Sequence, residues 1–122
     1  MRIGALFVIS LLVAGGLRAE DVTVETVVEG LNNPCGVAVQ PETGTLFVAD
    51  SGAGRVVRVV DGKAQDVITG FPKDVYGKGP MFDIGPLGLL FLDKDTLVVG
   101  GGGFPDGEAL LRVYKVPAGG AE

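Results

Sequence analysis

Glycine and proline interrupt this sequence so often that long regular elements are excluded. The 122 residues include 21 Gly and 7 Pro, about twice the combined share that globular proteins usually carry. The apolar segments between them are short and rich in β-branched residues, and none keeps apolar residues at helical spacing over three turns. Such runs between turn residues are typical of strands. The sequence therefore predicts an all-β protein built from short antiparallel strands.

Residues 1–19 have the features of a signal peptide. Arg2 supplies a positive charge, residues 3–17 are almost entirely apolar, and Ala19 has the small side chain preferred before a cleavage site. The apolar run is shorter than the roughly 20 residues of a spanning helix, which favours a cleaved signal over a membrane anchor. We therefore expect a secreted or periplasmic protein without a stable membrane span, whose folded part is residues 20–122.

Composition excludes several kinds of site and partner. The sequence contains no His, which rules out a Ser-His-Asp triad, a Cys-His pair and a His-ligated zinc within the chain. Its 15 acidic residues outnumber its 10 basic ones, which argues against nucleic acid as a partner. Cys35 is the only cysteine, and we expect it to be a small buried hydrophobe. A reactive or intermolecular thiol is the alternative.

Two segments of the chain, about 50 residues apart, resemble each other. Residues 34–39 (PCGVAV) match residues 86–91 (PLGLLF), and LFV at 46–48 matches LVV at 97–99. A period near 50 residues with four short strands in each unit is the size of one blade of a β-propeller. Stacked blades bury the apolar faces that one sheet leaves uncovered. The matched glycines of the inner strands are expected where neighbouring blades crowd together.

The repeat predicts a partial β-propeller. We expect a four-stranded first blade at about residues 34–70 and an incomplete second blade at about 86–116, with an additional strand at residues 22–28. The chain ends where a fourth strand of the second blade is due. We therefore expect it to be the front of a longer propeller. The alternative is a subunit that self-associates, because uncovered sheet faces and edges promote association.

The alignment of the two copies also compares individual polar residues. Arg58 is matched by Arg112, whereas Gly100 stands at the position of Asp50. We expect Asp50 to accept hydrogen bonds from the turn amides that follow it and to pair with Arg55 or Arg58, because short polar residues commonly form such turns.

The first copy resembles an NHL repeat. The shared pattern is P-x-G-apolar-A-apolar at residues 34–39, G-x-apolar-aromatic-V-A-D-S at 44–51, and R-apolar from Arg55. The chain is also similar to the wider group of gluconolactonase-like and strictosidine-synthase-like six-bladed propellers, as an N-terminal fragment. The resemblance implies a fold that hosts sensors, scaffolds, lactonases and lyases. For lactonase-like members it implies a divalent metal in the central channel, held by Glu, Asn and Asp from several blades.

Two functions are open from the sequence. The favoured one is an exported, non-enzymatic binding or scaffold module for a protein or a glycan. The alternative is a metal-dependent, lactonase-like hydrolase or lyase of which only the first blades are present. No catalytic residue is assigned and no cofactor is evident, although Ca²⁺ is expected under the lactonase-like alternative.

Loops supply the candidate site residues. Asn32 and Asn33 lead into the inner strand at the expected ligand face, and Asn is also a common turn residue. Tyr76 and Lys78 lie in a long loop between the copies. That loop either forms a ligand rim or, as we favour, packs its aromatic residues over the gap between the blades.

A second loop carries the weak candidates for a metal. Asp106 and Glu108 follow the glycine run of the second copy, and carboxylate oxygens are the ligands that Ca²⁺ prefers. These two residues are the positions at which the sequence offers a calcium site.

Overall fold

The computed structural model describes residues 21–117. Its nine strands over this range form three antiparallel sheets, so the prediction of an all-β protein is confirmed. The predicted signal peptide, residues 1–19, lies outside the described residues. Between residues 21 and 117, the structure contains no helix with the length and hydropathy needed to cross a membrane.

The first sheet contains four strands in the order in which they follow each other along the chain. The strands are β1 (Pro34–Val39), β2 (Leu46–Asp50), β3 (Arg55–Val60) and β4 (Lys63–Ile68). Asp61 and Gly62 both have positive φ between β3 and β4, which is the conformation that an Asp-Gly pair favours in a tight hairpin. Strand-forming runs and turn chemistry therefore agree in this part of the chain.

A small hairpin and a three-stranded second sheet follow. The hairpin consists of β5 (Asp74–Tyr76) and β6 (Phe82–Ile84), and the second sheet of β7 (Pro86–Asp93), β8 (Thr96–Gly101) and β9 (Leu111–Lys115). The strands of the second sheet lie where the repeat predicts them. The hairpin was not predicted, because three-residue strands leave almost no periodic pattern in the sequence.

The predicted strand at residues 22–28 is wrong. This segment has no regular secondary structure, and Val22 and Val24 are exposed. A β-branched run forms a strand only where it finds a ladder partner and an apolar surface to pack on. The segment has no ladder partner among the described residues.

The two large sheets share one register between their first two strands. Val37 pairs with Val48 in the first sheet, and Leu89 pairs with Val99 in the second. Likewise Pro34 lies opposite Asp50, and Pro86 opposite Gly101, with an irregularity following each proline. Gly101 therefore occupies the position of Asp50, which corrects the prediction that Gly100 does.

The third strands also correct the sequence alignment by one residue. Arg58 pairs with Phe47 in the first sheet, whereas Val113 pairs with Val98 in the second. Val113 is consequently the equivalent of Arg58, and Arg112 is not. The length of the loop before β9 misplaced the match, and a one-residue shift moves a side chain to the opposite face of its sheet.

The core lies between the facing surfaces of the two large sheets. Its buried members are Phe47 and Val56 from the first sheet, with Leu97 and Val99 from the second and Val116 beyond β9. The rings of Phe47 and Phe91 meet edge to face, with centroids 4.9 Å apart. This sheet-on-sheet contact buries one apolar face of each sheet.

The first strands of the two large sheets, β1 and β7, lie close together at Gly36. A Cβ atom there would collide with the carbonyl oxygen of Leu87 and would lie 3.2 Å from the Cα atom of Gly88. The need for glycine at this point agrees with the crowding expected between neighbouring sheets. Gly88, its equivalent in the second sheet, has open space on the corresponding side.

Candidate functional site

The predicted ligand-face loops meet at one end of the two large sheets, where β1 and β7 begin and β2 and β8 end. We call this the Asn33 end and define it by residues 32–33, 51–54, 72–85 and 101–103. The β5–β6 hairpin belongs to it and lies beside the short 3₁₀ turn Ser51–Ala53. All four candidate ligand-face residues are therefore at the same end of the molecule.

Asp50 is the buried anchor of this end. Its side chain is fully buried, and its two oxygens accept hydrogen bonds from the backbone N–H of Asn32 at 2.6 Å and from Nε of Arg55 at 2.7 Å. The hydrogen bond to Asp50 is the main reason why the pKa of Arg55 lies above its ordinary value. A buried carboxylate requires such partners. The predicted pairing with Arg55 is confirmed, and Arg55 also binds Asp66 at 2.8 Å.

The predicted bonds from the turn amides to Asp50 are wrong. The N–H of Gly54 donates to the carbonyl of Ser51, and that of Gly52 donates to the carbonyl of Asn32 at 2.8 Å. The backbone of Asn32 thus donates to Asp50 and accepts from Gly52, which holds it against the end of β2. Asn32 therefore has a structural role, which it performs through its main-chain N–H and carbonyl. Sequence patterns typical of turns do not predict these two hydrogen bonds.

Two further bonds connect the first sheet to the segment that follows it. The buried hydroxyl of Ser51 accepts a hydrogen bond from the N–H of Gly85 at 2.8 Å. Asn33 adopts a positive φ of 52°, as its turn-forming character predicts, and its Nδ2 donates to the carbonyl of Asp83 at 3.1 Å. The base of the β5–β6 hairpin is thereby attached to the first sheet.

The hairpin itself presents apolar side chains to solvent. Tyr76 is 70% exposed, Met81 58% and Phe82 49%. The interpretation that these aromatic residues pack over the gap between the sheets is therefore wrong. Tyr76 and Lys78 instead line an open depression of about 510 Å³, together with Val75 and Gly77.

Lys73 strengthens the attachment of the hairpin. Its Nζ donates to the carbonyl of Gly52 at 3.3 Å and lies 3.9 Å from a carboxylate oxygen of Asp83. Together with Asn33, Lys73 holds both strands of the hairpin close to the 3₁₀ turn. The exposed tip thus projects from an anchored base.

The loop between β8 and β9 carries the two carboxylates proposed for calcium. Asp106 and Glu108 lie between β8 and β9, and the N–H of Glu108 closes a turn onto the carbonyl of Pro105 at 2.9 Å. Over residues 21–117, the structure brings no three His, Cys, Asp or Glu side chains together as a metal site would. Calcium binding by Asp106 and Glu108 remains a prediction.

Cys35 and Arg58 differ from the sequence-based expectations in exposure and in hydrogen bonding, respectively. Cys35 is exposed rather than buried, because it sits at the irregular start of β1 next to Pro34. Arg58 is only 4% exposed, and its Nη1 donates to the carbonyl of Pro117 at 3.3 Å. Nε and Nη2 of Arg58 and Oε1 of its strand partner Gln65 are buried without a hydrogen-bond partner among the described residues.

The buried polar side chains of the Asn33 end are used within the fold. Asp50 and Ser51 are buried and engaged in hydrogen bonds within the fold, whereas Tyr76, Met81 and Phe82 of the hairpin are exposed large apolar side chains. Compared with known proteins, the chain matches no family model, no curated protein and no solved structure.

Proposed function

We propose that this protein is an exported, NHL-like partial β-propeller that acts as a non-enzymatic binding module for a protein, and that it contacts its partner through the β5–β6 hairpin. The observation that carries this proposal is the combination of an exposed apolar tip with an anchored base. The NHL resemblance of the first copy supports the architecture, and the hairpin supports the mode of contact.

The exposed residues of the hairpin are of the kinds that bind proteins. Tyr, Phe and Met are enriched in the cores of protein interfaces, and a few aromatic residues commonly supply most of the binding energy. Tyr76, Met81 and Phe82 are all about half exposed or more. A partner that covers them would remove this apolar area from water.

The anchored base reduces the entropy lost on binding. An isolated two-stranded hairpin is marginally stable in water, but Asn33 and Lys73 bind this one to the first sheet. A preorganised surface binds more tightly than one that must order itself. A mainly apolar tip also favours a protein over a glycan, because sugar hydroxyls need hydrogen-bonding partners that these side chains offer sparingly.

The proposal is tested with a displayed library of random peptides and, in parallel, a panel of immobilised polysaccharides. We expect the wild-type chain to enrich a peptide family, and Tyr76→Ser or Phe82→Ser to weaken binding of those peptides at least tenfold. Val24→Ser is the matched control, because Val24 is 92% exposed and lies outside the hairpin. Binding to a polysaccharide alone would overturn the choice of a protein partner, and binding to neither probe would overturn the proposed function.

A further inference from the structure

The second sheet carries an apolar face that no described residue covers. The register of β7, β8 and β9 aligns Leu90, Val98 and Val113 in one row across this face, and Gly88, Gly100 and Leu111 in the next. Leu90 is 59% exposed and Val113 62%. We call these six residues the free face. Contiguous apolar surface of this kind marks an interaction site.

The equivalent face of the first sheet is covered. The row Ala38, Phe47 and Arg58 has the same register as Leu90, Val98 and Val113. Phe47 is completely buried in the core that the two sheets share. Arg58 is 4% exposed and donates to the carbonyl of Pro117, which follows β9. The repeat thus shows what kind of surface belongs on the free face, namely another sheet in the position that the second sheet takes on the first.

The surroundings of Gly36 and Gly88 support the inference that another sheet belongs on the free face. Gly36 has no room for a Cβ atom, since the backbone of β7 passes directly over it, at Leu87 and Gly88. Gly88 holds the same place on the free face, yet nothing lies within 4 Å of a Cβ built there, and its φ is not positive. Among the described residues, neither space nor backbone conformation requires glycine at residue 88. A further strand that passes as close to Gly88 as β7 passes to Gly36 would require glycine at residue 88.

A second copy of the chain offers the matching surface. Val37 and Val39 are both 62% exposed on the outer side of β1. They occupy the positions of Leu89 and Phe91, which are packed against the core between the sheets. Val48 on β2 and Val57 on β3 are already buried, so a contact on this side would run along β1.

We infer that the free face binds the exposed side of β1 of a second copy of this chain, which repeats between copies the sheet-on-sheet contact found within one. Such a contact is head-to-tail, because the two surfaces differ. This inference uses surfaces separate from the hairpin and does not depend on the proposed function. The result is a ring or an open chain of copies rather than a symmetric dimer.

The test is the mass in solution of the purified chain, expressed from its full sequence, measured by light scattering during size exclusion. We expect a mass of several subunits. Val113→Asp on the free face and Val37→Asp on β1 each block one of the two surfaces, and each variant alone should be monomeric. Because either variant retains the surface that the other lacks, their mixture should form a one-to-one dimer and nothing larger.

Val75→Asp is the matched control, since Val75 is 53% exposed on the hairpin. It should keep the wild-type mass, and circular dichroism should show unchanged strand content in all three variants. A monomeric wild type, assembly by Val37→Asp alone, or a mixture that stays monomeric would each overturn the inference. Loss of assembly in Val75→Asp would do the same, because it would place the contact on the hairpin.

Discussion

The fully buried carboxylate of Asp50 accepts a hydrogen bond from Nε of Arg55 at 2.7 Å, across the turn that connects β2 to β3. The same carboxylate holds the backbone of Asn32, 18 residues earlier in the chain. Asp50 therefore joins the turn, the third strand and the segment before β1. Its replacement should affect the fold more than any other single polar change at this end.

Asp50→Ala should destabilise the protein by about 3 kcal/mol, because it leaves the Asn32 amide and the Arg55 guanidinium without their shared acceptor. Urea unfolding followed by circular dichroism measures the change in unfolding free energy. Asp66→Ala is the control, since Asp66 binds the same Arg55 but its side chain is 54% exposed. That substitution should lower stability by less than about 1 kcal/mol. Equal effects of the two substitutions would contradict the anchoring role of Asp50.

Gly36→Ala and Gly88→Ala should differ sharply in their effect on stability, although the two glycines are equivalent in the repeat. At residue 36 the new methyl group collides with the backbone of Leu87, and overpacking of this kind lowers stability by about 1–3 kcal/mol. At residue 88 no described residue lies within 4 Å of the new methyl group, so stability measured at high dilution should hardly change. Thermal unfolding over a range of protein concentrations tests the pair, and a large loss at residue 88 under dilute conditions would contradict this prediction.

Arg58→Met should leave the protein as stable as the wild type or more stable by up to about 1 kcal/mol, because Nε and Nη2 of Arg58 are buried donors without a partner among the described residues. Its repeat equivalent, Val113, is already apolar. Arg55→Met is the contrast, since Arg55 binds both Asp50 and Asp66, and it should lower stability by about 2 kcal/mol. The denaturation midpoints of the two variants, compared with that of the wild type, measure these changes in stability. Similar losses would mean that Arg58 has stabilising partners.

The hairpin turn after β7 should make stability depend on pH in acid. The backbone N–H of Asp95 donates to the carboxylate of Asp93 at 2.9 Å and is the main reason why the pKa of Asp93 lies below its ordinary value of 3.8. A lowered pKa means that the contribution is fully present above pH 3.8 and is lost as the pH falls through the folded-state pKa. Asp93→Asn should therefore be less stable than the wild type at pH 6, and the difference should shrink as the pH falls below 3.8. Parallel urea midpoints across that range would contradict this assignment.

Residues close in sequence account for most of what was predicted correctly. The runs Leu46–Asp50 and Arg55–Val60 are strands, and the Asp61-Gly62 turn follows from its own chemistry. The pairing of Asp50 with Arg55 could also be predicted, because only a short turn separates the two residues. The hydrogen bond from Asn32 was not, because it depends on how the chain before β1 crosses the end of β2.

The predictions that were wrong depend on contacts between residues far apart in the sequence. The alignment of Arg58 with Arg112 was one residue out because the sequence does not show how the loop before β9 is accommodated. The segment 22–28 has the composition of a strand, yet ladder formation depends on a partner that composition does not supply. Exposure of Tyr76 likewise depends on how the hairpin is held by Asn33 and Lys73.

The sequence by itself determined that this chain forms short antiparallel strands and that two of its sheets repeat a common pattern, because strand period and turn chemistry are local properties. Only the tertiary structure decided which face of each sheet is buried, where Gly36 meets β7 and which surfaces are left open. Burial is a property of contacts between segments far apart in the chain, and these contacts depend on register and loop path. For that reason the free face and the anchored hairpin became visible only in the folded molecule.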